Sequence, residues 1–154
     1  MPRTFAVSFN AVAITAAQDL FEISPADDKP VRLLGLVVGQ YSDVGDANSE
    51  NLSLSIIRGY TSSGSGGSAF TALPLDPNDS AAGFSAEINN TTVANTGTAV
   101  TLWSDVWNTQ AGYQVWFPEG AQPQASQANT TIVVRITAPA DSITTNATLI
   151  VQEL

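Results

Sequence analysis

Between Gly112 and Thr137 the chain reads GYQVWFPEGAQPQASQANTTIVVRIT, and both ends of this stretch alternate with a period of two. Tyr113, Val115 and Phe117 share one face, as do Ile132, Val134 and Ile136. Gln114, Trp116, Val133 and Arg135 fall on the opposite faces. That period is the mark of strands buried on one side. The intervening PEGAQPQASQAN carries two prolines, which cannot donate a ladder hydrogen bond, and it has too little apolar surface to build a core. A strand, a polar connector and a returning strand need a second sheet to cover their apolar faces. The stretch predicts the edge-to-core unit of a β-sandwich.

The rest of the chain repeats this grammar. Phe5, Val7 and Phe9 alternate, Val12 and Ile14 continue them, and Phe21 and Ile23 follow before SPADDKP (Ser24–Pro30) breaks the ladder. Val31–Tyr41 is apolar on both faces and predicts a central strand, with Gly35 and Gly39 marking bulges or close backbone approach. Leu52, Leu54 and Ile56 alternate with Ser53, Ser55 and Ile57. Phe70–Leu75 and Phe84–Ile88 are weaker strands, while Ala99–Trp103 and Gly112–Phe117 flank a connecting SDVWNTQA. The last strand lies in Ser142–Leu154, with Ala147, Leu149 and Val151 inward.

About eight to ten strands, no helical period and connections longer than hairpin loops predict an all-β chain. The expected architecture is a jelly-roll or related Greek-key β-sandwich of two antiparallel sheets. A single domain spans residues 1–154, with 1–20 forming either an N-terminal arm or edge strands.

Charge narrows the functional classes. Fourteen acidic and five basic residues give a net charge of −9, and charged residues make up only 12% of the chain. Five scattered cations cannot build the basic patch that nucleic acid or an anionic membrane requires, so neither is an expected partner. No histidine and no cysteine are present, so Ser–His or Cys–His catalysis, thiolate metal sites and disulfides are ruled out. Paired carboxylates of glycosidase type remain, with no motif that points to them. The expectation is a protein that is not an enzyme and carries no cofactor. MPRTFAVSFN lacks the apolar run of a secretory signal, and no stretch approaches the ~18 apolar residues of a membrane span.

Three features could carry binding. Asp43, Asp46, Asn48 and Glu50 supply the clustered oxygens that calcium prefers, although their spacing departs from the EF-hand loop and solvated turn residues look the same. The SSGSGGS loop (Ser62–Ser68) lacks the lysine and helix of a phosphate-binding loop and reads as a flexible connection. Trp103, Trp107, Tyr113 and Trp116 cluster within fourteen positions, where aromatics can fill a core, anchor an interface or stack sugar rings. Trp116 points away from Val115 and Phe117, so it faces outward or into a partner.

The segments FEISPADDKPVRLLGL, RGYTSSGSGGSAF, GFSAEINNTTVANTG, WFPEG and NTTIVVRITAPADS together resemble small structural proteins encoded among the head genes of tailed bacteriophages. Within that group the chain is similar to jelly-roll decoration or cement proteins. The resemblance implies a virion protein made in the bacterial host cytoplasm and placed on the capsid exterior. There it would bind the major capsid protein at joints between subunits, and itself as a dimer or trimer. Arg3 and Phe5 of the N-terminal strand join the four aromatics as interface candidates, and loops 60–69 and 118–129 are candidate arms. The alternative is a carbohydrate-binding sandwich, of lectin-like head-fibre or tail-fibre type.

Overall fold

The last strand explains the fold best. ITTNATLIVQE alternates buried and half-buried at every position from Ile143 to Glu153, and it pairs on both sides. A strand with neighbours left and right and a single dry face must lie in the middle of a sheet that packs against another.

The computed structural model describes residues 1–41 and 49–154. In chain order the strands are β1 (Arg3–Ile14), β2 (Gln18–Ser24), β3 (Val31–Gln40), β4 (Asn51–Tyr60), β5 (Ser68–Phe70) and β6 (Leu73–Pro74). They continue as β7 (Ser85–Asn90), β8 (Gly97–Asn108), β9 (Tyr113–Trp116), β10 (Gln124–Ala125), β11 (Thr131–Ile136) and β12 (Ile143–Glu153). No helix occurs among the described residues.

Two antiparallel sheets form the layers. The first runs β10-β3-β12-β1-β6, with β9 also pairing β3, and the second runs β5-β7-β2-β11-β4-β8. The chain is an all-β sandwich. Four pairs are nested in sequence: β1 with β12, β2 with β11, β3 with β9, and β4 with β8. The Gly112–Thr137 unit places β9 at the margin of the first sheet and β11 in the middle of the second, but its polar connector also joins the ladder, since β10 pairs with β3 and Ala125 is buried in the core.

Between the layers, Phe5, Val7, Leu33, Leu36, Leu149 and Val151 of the first sheet meet Phe21, Ile23, Leu54, Ile56, Ile132 and Val134 of the second. Ring pairs fix the packing: Phe9 tilts against Phe21 at 5.3 Å, and Phe84 meets Phe5 edge-on at 5.4 Å.

Several expectations change or narrow. Of the two alternatives for residues 1–20, edge strands fit β1, which pairs with β12 along its length and with β6 at Phe5 and Ala6. Beyond Ala6 the far side of β1 has no neighbouring strand among the described residues, so that portion is an edge. A bulge between Phe9 and Val12 blunts the edge, with Ala11 at φ 54° donating its N–H to Asn146 Oδ1 at 2.7 Å.

The expected connection SDVWNTQA instead prolongs β8 to Asn108, since the core takes Trp107 and its indole N–H donates to the Ala111 carbonyl at 2.7 Å. Phe70–Leu75 splits between the layers, with Phe70 pairing Ala86 and Leu73 pairing Ala6.

Phe5 is fully buried, which corrects its expected place at an interface. Phe5→Ala should therefore lower unfolding free energy by about 3–5 kcal/mol in urea titration, as a core cavity does. A loss below about 0.5 kcal/mol is what a surface position would give.

Candidate functional site

The two outer faces of the sandwich differ in kind. On the second sheet, Ile57, Tyr60, Ala94 and Val133 form a small apolar cluster of their own, roofed by the segments 61–67 and 91–96. Arg135 lies in the same layer, donating to Asp19 at 2.6 Å and to the Ala94 carbonyl at 2.8 Å, with its guanidinium 5.2 Å from the Tyr60 ring centroid. Ser65 and Thr92 bond to each other through their backbones, and the Gly64 N–H donates to Glu22 at 2.9 Å. Burial, opposed by hydrogen bonds from Asn90 and Gly64 and reinforced by Asp19, pushes Glu22 up to about 7.

Among the described residues, the first sheet has no such roof over its central rows. Strand register puts Ser8, Thr148, Val37 and Gln114 in one outward row and Ala6, Ile150, Gly35 and Trp116 in the next. These eight side chains include no charge. Trp116 is 57% exposed, Tyr41 61% and Val37 40%.

The Trp116 ring lies flat on Gly35, where any Cβ would collide with it. A glycine is needed there so that a large ring can rest on the backbone of its neighbour. Further along β3, a Cβ added at Gly39 would meet nothing within 4 Å. That gap is the floor of an open groove lined by Ser8, Asn10, Val37, Tyr41, Gln114 and Asn146. Six residue steps separate Gly35 from Tyr41, so the two aromatics mark a strip roughly 20 Å long.

The remaining predicted residues have other roles. Trp103 closes the seam between the sheets, 6.2 Å from Tyr113 and 5.7 Å from Phe117 by ring centroids. The Tyr113 hydroxyl donates to Asp105 at 2.8 Å across that seam. Burial and the Asp105 carboxylate raise the Tyr113 phenol well above its ordinary value. The Val106 N–H, and then Tyr113, hold Asp105 below its own. Trp107 is 1% exposed and belongs to the core, so it cannot anchor a partner.

Arg3 pairs with Glu153 and bonds to Ser80, which ties the N-terminus to the C-terminal strand. Loop 118–129 is stitched down as well, the Pro123 carbonyl accepting from Leu33 and the Gln124 carbonyl from Arg58. Asp43, Asp46 and Asn48 lie outside the described residues. Glu50 accepts the backbone N–H groups of Ala140 and Asp141 at 2.6 and 3.3 Å, a structural use of its carboxylate. Among the described residues no group of three or more acidic side chains is placed to hold a metal ion.

Sequence reasoning found Trp116 and missed Tyr41 and Val37. Their signal was the outward set Val37, Gly39, Tyr41, hidden because Val38 and Leu36 make the strand look apolar on both sides. Compared with known proteins, the chain matches no family, no curated protein and no solved structure.

Trp116 rests on the sheet without being enclosed by it, so Trp116→Ala should cost about 1 kcal/mol or less in a urea titration. A loss of about 3 kcal/mol would place the ring in the core.

Proposed function

We propose that this chain is a non-enzymatic virion protein, a jelly-roll sandwich that docks by the outer face of its first sheet onto an expanded bacteriophage capsid and stabilises it. The carrying observation is the contrast between the two faces. One is roofed by loops and a buried ionic network. The other leaves Trp116 and Val37 exposed within rows that hold no charge, with Tyr41 exposed just past the end of β3.

In a chain of net charge −9, uncharged rows with exposed aromatics have the composition of an interface core, where charge is depleted and Trp and Tyr are enriched. The nested pairing β1–β12, β2–β11, β3–β9 and β4–β8 is compatible with jelly-roll winding. That supports the phage-head reading, which rests on the resemblance in sequence. A ligand that binds the expanded shell and not its disassembled subunits stabilises it by mass action. A filled sandwich suits this work because little ordering is lost on docking. The partner is the major capsid protein at joints between subunits, and self-association as a dimer or trimer would repeat the contact around a joint.

A second reading has its own observation. The groove beside Trp116 carries the amides of Asn10, Gln114 and Asn146 and the hydroxyl of Ser8 around an open glycine floor. Aromatic platforms edged by amides also suit the planar faces and hydroxyls of sugars.

One experiment separates the readings. The wild type and Trp116→Ala are mixed with empty expanded capsids of the same phage and, separately, with immobilised glycans. The capsid reading predicts co-sedimentation with the shells that weakens about 30-fold in the variant, as loss of about 2 kcal/mol at an aromatic hot spot implies. Retention on glycans and not on capsids would transfer the function to the second reading.

A further inference from the structure

Under the 61–67 loop, among the described residues, the second sheet sets Asp19, Glu22 and Glu87 against the guanidinium of Arg135. Between Val134 and Arg135 the pairing with β2 shifts register, leaving Leu20 as the extra residue. Asp19 and Glu22, three positions apart, therefore reach each other on the outer face, where alternation alone would separate them. They are 0% and 1% exposed. Arg135 from β11 is committed to Asp19, at 2.6 and 3.1 Å, and to the Tyr60 hydroxyl of β4 at 3.0 Å. From β7, Glu87 and Asn90 face the same space, the Asn90 amide donating to Glu87 at 2.6 Å.

The loop is built onto these groups. The Gly64 N–H donates to both Glu22 oxygens at 2.9 and 3.1 Å, the Gly67 N–H to Asn90 at 3.1 Å, and the Ser63 hydroxyl to Glu87 at 3.2 Å. A Cβ on Gly64 would strike both the Thr92 carbonyl and Glu22. Backbone sits directly on the carboxyl group, leaving no room for water between them.

We propose that Glu22 is the latch of a pH-sensitive loop: protonated, it holds residues 61–67 on the second sheet, and ionised, it loosens them. The proton allows Glu22 to donate to Asp19 while still accepting from Gly64. Ionisation strengthens the bonds from Gly64 and Asn90, but it sets two carboxylates against each other out of water, with Arg135 already engaged and Glu87 beside them, and burial outweighs those bonds. Lifting the loop is the route by which water reaches the new charge.

The sign follows from linkage. A folded-state value near 7 against an ordinary 4.5 means that the contribution is complete below about 4.5 and lost as pH rises through about 7. The candidate arm 60–69 of the sequence is thus a seated segment with a titratable catch, independent of whatever the first sheet binds.

Amide hydrogen exchange at pH 6 and pH 8, corrected for intrinsic rates and referenced to β12, tests this. Protection of Gly64 and Gly67 should fall about tenfold in the wild type over that interval, as one group titrating near 7 requires. In Glu22→Gln it should stay constant. Equal protection at both pH values, or an unchanged fall in Glu22→Gln, would overturn the latch. Should the variant fail to fold, the Glu22 carboxyl ¹³C shift of the wild type decides: a midpoint near 7 supports the latch, and one near 4.5 refutes it.

Discussion

Leu149 and Val151 of β12 lie between Leu36 and Leu33 of β3 on one side and Val7 and Phe5 of β1 on the other. This three-strand row of apolar side chains, pressed against Phe21, Ile23, Ile132 and Val134 of the second sheet, is the contact on which the molecule depends. It fixes register, because a slip of one residue would turn every inward side chain to water. It also decides what is left over. Once β12, β3 and β1 turn one face to the core, their other face holds Ile150, Thr148, Val37, Gly35 and Ser8, and nothing among the described residues roofs it.

The second sheet resolves the same situation differently. Its outer face carries Glu22, Asp19 and Arg135, groups that the interior tolerates only when paired. Two loops fold over them and supply the backbone donors. The roof exists because charge lies beneath it. On the first sheet the central outward rows are uncharged and need no roof, so Trp116 can lie open on Gly35. Among the described residues, one face is covered by the chain's own loops and the other leaves Trp116 exposed. The proposed docking rests on that asymmetry.

Much of this was legible in the residues. The alternation in Tyr113–Phe117 and Ile132–Ile136 gave two layers, and the outward direction of Trp116 followed from Val115 and Phe117. What stayed hidden depends on long-range partners. Phe5 and Trp107 have no local sign distinguishing core from interface. Phe84 and the Ala111 carbonyl, which settle their roles, are remote or fall in a turn. The Gly/Ser loop looked free because its donors meet Glu22 and Asn90, side chains 42 and 23 positions away. The Asp19–Glu22 encounter depends on a bulge that no pattern announces. Asp43, Asp46 and Asn48 lie outside the described residues, and the acidic turn stands as the sequence left it.

The chain has no cysteine, so single introduced thiols report each face separately. Gln114→Cys marks the bare face and Ser62→Cys the roofed one, both at exposed positions. Maleimide labelling of each, with and without saturating expanded capsids, tests the docking face directly. Docking by the first sheet predicts that capsids protect position 114 and leave position 62 reactive. Equal labelling of position 114 in the bound and free protein, or protection of position 62 instead, would contradict it.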